Sequence, residues 1–131
     1  MRAWLKKQGF KKGDLRSYIK AYPCMHPMGH ACFMGELHIC KWLFDNGAAD
    51  DITRVSDMYD NTPLHLASHG GHLSVCQWLH KVGAAGDIPK ENLFGQTPLL
   101  MALGNGHMAV HKWLLGAGGR EPKTHRDWEA N

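Results

Sequence analysis

A hexapeptide that recurs at a fixed distance constrains this chain more than any other feature. Thr62-Pro63-Leu64-His65-Leu66-Ala67 stands 35 residues before Thr97-Pro98-Leu99-Leu100-Met101-Ala102. The offset persists downstream through Gly71/Gly106, His72/His107, Val75/Val110, Trp78/Trp113, Leu79/Leu114 and Gly83/Gly118. Upstream, an offset of 36 aligns Pro27, Ala31 and Gly35 with Pro63, Ala67 and Gly71. At the same offset Leu37, Cys40, Trp42, Leu43, Gly47 and Ala48 meet Leu73, Cys76, Trp78, Leu79, Gly83 and Ala84. Coincidence at this many positions is not a matter of composition. A period in this range marks a stacked-repeat architecture, in which each unit buries its apolar face against its neighbours.

Each copy has a readable local logic. Thr62 and Thr97 are N-cap residues, and the Pro after each takes the first helical position, where its missing N–H costs nothing. A helix of about two turns follows and stops at the glycines near 70–71 and 104–106. A second helix starts after the Gly-His pair, with apolar residues at 73, 75, 76, 78 and 79 spaced for one buried face. Gly83 stands where a left-handed C-cap is wanted. Residues 84–96 hold too many Gly, Pro and Asn for a helix, and suit a loop or hairpin.

Helix, turn, helix, Gly-Ala and a turn-rich connector opening onto Thr62-Pro63-Leu64-His65 together resemble the ankyrin repeat. Gly71-His72-Leu73 and Gly83-Ala84 strengthen the likeness, which covers about residues 26–119. The resemblance implies an all-α solenoid of stacked helix-turn-helix pairs joined by long β-hairpin-like loops. Its repeats fall at 26–61, 62–96 and 97–131, the last with a C-terminal tail, in a single domain spanning 1–131. Residues 1–25 read as a part-repeat or cap, with Trp4-Leu5 matching Trp42-Leu43 and a short helix over 14–22 capped by Asp14. The chain opens inside one repeat and closes just before another Thr-Pro is due, so we expect a window from a longer array or a decayed copy. Departures from the family pattern are local. Periods of 36 and 35 exceed the usual value of about 33, and the surplus falls in the connectors, which predicts longer hairpins. His26 replaces the cap Thr in the first repeat, Gly29 replaces the His of the motif, and Leu100 replaces it in the third.

Composition enters as a set of exclusions. A chain of 131 residues has room for about one domain. No apolar run is long enough to span a membrane, and the N-terminus lacks the apolar core of a signal peptide. The net charge of +3 is too mild and scattered for a nucleic-acid surface, with only Lys6-Lys7 to Lys11-Lys12 dense. Four Cys without a CxxC pair read as reduced thiols of a cytoplasmic, or nuclear, protein. Ten His and five Trp are unusual for this length and invite a metal reading. The repeat absorbs most of them. His65, His72 and His107 fill slots that the resemblance makes structural, His65 by bonding backbone between neighbouring repeats. Trp42, Trp78 and Trp113 recur at one position and fill the interface between second helices.

One metal candidate is left, a zinc site at Cys24, His26, His30 and Cys32, although zinc sites usually pair CxxC with HxxxH. His65, His69 and His72 also cluster, but two of these have repeat roles. Catalytic motifs are missing: there is no phosphate cradle, no HExxH and no GxSxG. Cys40 and Cys76 share a core slot taken by His111 in the third repeat, which makes them packing residues. The expectation is therefore a non-enzymatic module with no cofactor that binds another protein, rather than nucleic acid, membrane or a small-molecule substrate. It would act as a monomer or within a longer array. The resemblance puts the partner on a concave surface of hairpin tips and first helices. The tips are Met58, Tyr59 and Asn61, then Leu93, Phe94 and Gln96. The helix positions are Phe33, Met34, His69, Gly70, Gly104 and Asn105. Tyr59 and Phe94 either meet the partner or tuck against a neighbouring repeat.

Overall fold

The computed structural model describes residues 26–120. The part-repeat expected over 1–25, with its helix at 14–22 and Cys24, lies outside them, as does the tail from 121 with His125. Among these residues six α-helices form three pairs. They are α1 (Pro27–Met34) with α2 (Leu37–Leu43), α3 (Pro63–Gly70) with α4 (Leu73–Leu79), and α5 (Pro98–Gly104) with α6 (Met108–Gly116). No strand occurs among the described residues.

Local chemistry sets the helix ends. Thr62 and Thr97 are extended, with ψ of 166° and 165°, and their hydroxyls accept the backbone N–H of His65 and Leu100. A cap of this kind stabilises a helix by about 1 kcal/mol. Pro63 and Pro98 follow at the first helical turn, as expected. The helices α2 and α4 run into a widened final turn, over Phe44–Ala48 and His80–Ala84. Gly83 ends the latter at φ +131°, the left-handed residue that its place in the sequence predicts.

The connectors differ from the expected long hairpins. Their first part winds into a short 3-10 turn, Ala49–Ile52 and Ala85–Asp87. Each turn carries a buried acid paired three residues on, Asp51 with Arg54 at 3.2 Å and Asp87 with Lys90 at 2.8 Å. Ile52 and Ile88 sink into the core beside them. Only the second part is hairpin-like, closed by Ser56 N–H to the Asn61 carbonyl and Asn92 N–H to the Gln96 carbonyl. An i, i+3 ion pair and one buried isoleucine suffice to tighten a stretch whose composition reads as loop.

Packing follows the repeat register. Ala31, Ala67 and Ala102 are fully buried on α1, α3 and α5, and their small side chains let the first helices lie side by side. Met28, Leu64 and Leu99 fill the next layer, with Leu43, Leu79 and Leu114 from the second helices. The second helices also meet through aromatic edges, as the recurrence of Trp predicts. Trp78 stands edge-on to Phe44 and Trp113 edge-on to His80, each at 5.6 Å.

Histidine rings tie helices to connectors within a repeat, where His65 was expected to bridge neighbouring repeats, and His72 and His107 tie one repeat to the one before. His65 donates Nε2–H to the Gln96 carbonyl at 2.9 Å. A carbonyl only accepts, so Nε2 carries the proton and Nδ1 accepts the Thr62 N–H at 3.2 Å. His72 donates Nε2–H to the Phe33 carbonyl and His107 to the His69 carbonyl, both at 2.9 Å. These two rings lie on glycine: a Cβ at Gly35 would meet His72 at 2.4 Å, and one at Gly71 would meet His107 at 2.5 Å. In the first repeat the ring moves to the cap itself. His26 Nδ1 accepts the Gly29 N–H, and Nε2 bonds the Arg54 carbonyl and Ser56 Oγ. Ser56 fills the space where a side chain at position 29 would start, only 2.4 Å from an ideal Cβ, which explains Gly29.

Two outcomes follow from this bonding. Gly71→Ala and Gly106→Ala both impose a left-handed alanine, costing about 1–2 kcal/mol, at φ of +77° and +74°. Gly106 has no described neighbour within 4 Å, whereas Gly71→Ala must also displace His107, adding about 1 kcal/mol for its hydrogen bond. Urea denaturation should rank the variants in that order. Burial holds the His65 imidazole below its ordinary pKa, so the folded state resists protonation that the unfolded chain accepts near pH 6.5. That contribution is present above about pH 6.5 and lost as pH falls below it. His65→Leu should lower the melting temperature at pH 7.5 and flatten its decline between pH 7 and pH 5.

Candidate functional site

Two tight turns carry the most exposed apolar side chains, Phe94, Met58 and Leu93, with Tyr59 beside them. In the first, the Asp57 carboxylate accepts the backbone N–H of Tyr59 at 2.9 Å and of Asn61 at 3.1 Å. Asn92 takes the same role 35 residues on, its Oδ1 accepting the N–H of Phe94 and Gln96 at 2.9 and 3.0 Å. Such side-chain-to-backbone bonds fix a turn without help from a sheet. The tips are then joined: Asn92 Nδ2–H donates to Asn61 Oδ1, and Leu93 N–H to the Tyr59 carbonyl, each at 2.9 Å. The Tyr59 and Phe94 rings lie against each other, 5.6 Å between centroids.

The ends of the first helices continue the same face. The Phe33 and His69 rings are 5.7 Å apart. His69 Nδ1 accepts Asn105 Nδ2–H at 3.2 Å, and the same amide donates to the Met101 carbonyl at 2.7 Å. Between this row and the tips lies a groove. One lobe of about 340 Å³ is lined by Asn61, His69, Phe94, Leu100, Met101 and Asn105, among others. A second, of about 570 Å³, is lined by Glu91, Phe94, Gln96, Leu100 and Leu103 with Gly95 and Gly104. Phe94 and Leu100 belong to both.

The expected surface residues are exposed or half-buried with one exception, and His69, Phe94, Gln96 and Asn105 among them line the groove. Phe33, Met34, Met58, Tyr59, Leu93 and Phe94 are exposed, from 36% for Phe33 to 68% for Phe94. Gln96 and Asn105 are exposed and His69 is half-buried. Tyr59 and Phe94 pack on each other and still face solvent. Asn61 differs: it is buried, with its amide donating to Asp57 at 2.9 Å and its oxygen taken by Asn92. It builds the tips and keeps no polar atom free for a partner. Leu100, Glu91 and Leu103 were not expected in the groove. Leu100 had a visible signal, since it replaces the histidine that would otherwise reach for the next connector.

Of the four metal candidates, the three among the described residues do not gather as a site. His26 uses both ring nitrogens on Gly29, Arg54 and Ser56. Burial lowers the pKa of His26 and of half-buried His30. Cys32 points into the core, where its Sγ lies 3.7 Å from that of Cys40, and burial pushes its thiol far up. Cys24 lies outside the described residues. Nowhere among those residues do three His, Cys, Asp or Glu side chains gather as a metal would need. Nor does Cys76 resemble a nucleophile, since burial raises its thiol to about 11 and a reactive cysteine needs the thiolate.

The comparisons agree with this geometry. The family of ankyrin repeats in many copies matches residues 24–80, and the single ankyrin repeat matches residues 94–126. No curated protein matches the chain. No described helix is long and apolar enough to cross a membrane. Together the two family matches cover both helix pairs of the first repeats and the whole of the third pair, and the chain belongs to the ankyrin repeat family.

Proposed function

We propose that this chain is a non-enzymatic protein-interaction module that binds its partner on the face built by Phe33, Met34, Met58, Tyr59, His69, Leu93, Phe94, Gln96, Leu100 and Asn105. Ankyrin repeats as a family mediate contacts between proteins. One observation carries the choice of face. Phe94, Leu100, Met101 and Leu103 line a groove there, with the exposed Tyr59 ring packed on Phe94, while Met28, Leu64 and Leu99 in the repeat interior are fully buried. Clustered exposed apolar surface of this kind marks an interaction site more often than scattered residues do. Aromatic side chains are also the type that dominates binding energy at protein interfaces.

The rigidity of the tips supports the same reading. Asp57 and Asn92 bond their own turns, and the Asn61–Asn92 bond links one turn to the next. A partner would meet side chains already held in place, which reduces the ordering cost of association. Repeat boundaries at 26–61, 62–96 and 97–131 are part of the proposal. So is a cytoplasmic or nuclear setting, where Cys32, Cys40 and Cys76 serve as core thiols.

Tyr59→Ala combined with Phe94→Ala should weaken binding to a partner captured from native extract by more than about 1 kcal/mol. Both side chains are exposed, so the melting temperature should stay close to that of the parent. Titration calorimetry with thermal melts separates the two effects. Unchanged affinity would move the interface off this face.

A further inference from the structure

One lobe of the groove is lined by a carboxylate, Glu91, and neither lobe by a Lys or Arg. The chain is formally +3, but the two cations nearest the tips are already engaged. Arg54 pairs with Asp51 and Lys90 with Asp87. Asp60 and Glu91 are exposed, and among the described residues neither has an ion-pair partner. Each is one residue from the Asn61–Asn92 hydrogen bond that joins the tips, and Glu91 lines the larger lobe. One unpaired carboxylate thus lines the groove beside Phe94, a second stands exposed on the neighbouring tip, and no Lys or Arg is among the lining residues.

Asp60 sharpens the point. It is the only described residue other than glycine with positive φ, at +60°. Its counterpart 35 residues on is Gly95, at φ +73°. Glycine holds this conformation without the steric cost that a side chain adds. Among the described residues the carboxylate at position 60 makes no hydrogen bond or ion pair, so its charge is left to solvent on the tip beside Tyr59.

We propose that the groove receives a peptide segment of a partner protein that combines Lys or Arg with aromatic or aliphatic side chains. The apolar side chains would rest on Tyr59, Phe94 and Leu100, with the cation between Asp60 and Glu91. An arginine would gain further from the exposed Tyr59 and Phe94 faces, which attract cations. This inference rests on the concave-face reading above and narrows it to one class of partner.

Selection of short random peptides displayed on phage, with the full chain as bait, tests it. A bait of charge +3 would by itself favour acidic peptides, so the predicted enrichment in Lys and Arg beside Phe, Trp, Leu or Met runs against the global charge. Synthetic copies of the enriched peptides should bind Asp60→Gly/Glu91→Gln about fivefold more weakly, and salt should erase the difference. Asp60→Gly relieves the left-handed aspartate, so the fold is retained in that variant. Enriched peptides that are acidic or uncharged, yet lose binding on Phe94→Ala, would overturn this inference and leave the concave face standing. Peptides indifferent to Phe94→Ala, or no enrichment at all, would overturn both.

Discussion

The stack depends on hydrogen bonds from histidine rings to backbone carbonyls of a neighbouring element. His65 reaches the Gln96 carbonyl, His72 the Phe33 carbonyl and His107 the His69 carbonyl. Apolar burial supplies most of the driving force for stacking, but it is non-directional and fixes no register. Rings that bond one carbonyl each do fix it. Glycine at 35 and 71 lets the rings lie flat on the preceding turn. The first repeat keeps the device with altered parts, since His26 at the cap holds Arg54 and Ser56 instead.

Register at the helices determines the face at the tips. His65 holds the backbone of Gln96, and Gln96 N–H bonds Asn92, whose amide bonds Asn61. A buried ring is thus linked through three hydrogen bonds to the turns that display Tyr59 and Phe94. The third repeat has Leu100 where this chain of bonds would restart. That leucine faces the groove and extends its apolar floor. A position released from a structural role has become surface available for binding.

Local features were legible in the sequence because their causes are local. A capped Thr-Pro starts a helix and a Gly-Ala ends one, and the recurrence of both gives the number of repeats. His72 and His107 could be assigned from their slot alone. Long-range pairing was not legible. Asn61 reads as an exposed tip, but its partner is Asn92, 31 residues away. Gly29 reads as a missing histidine until Ser56 is seen in its place. The Cys24-to-Cys32 cluster is compact in sequence, yet Cys32 turns into the core and His26 toward the connector. The 3-10 turns escaped notice because Gly, Pro and Asn disfavour long helices and say little about single turns held by an ion pair.

The function of the molecule turns on which surface meets another protein. A photo-reactive phenylalanine analogue placed at Phe94, in the groove, or at Lys112, exposed on α6, would report this directly in native extract. We expect covalent adducts with a discrete partner from position 94 and none from position 112. Adducts from position 112 with none from position 94 would place the interface on the second helices and contradict the concave face.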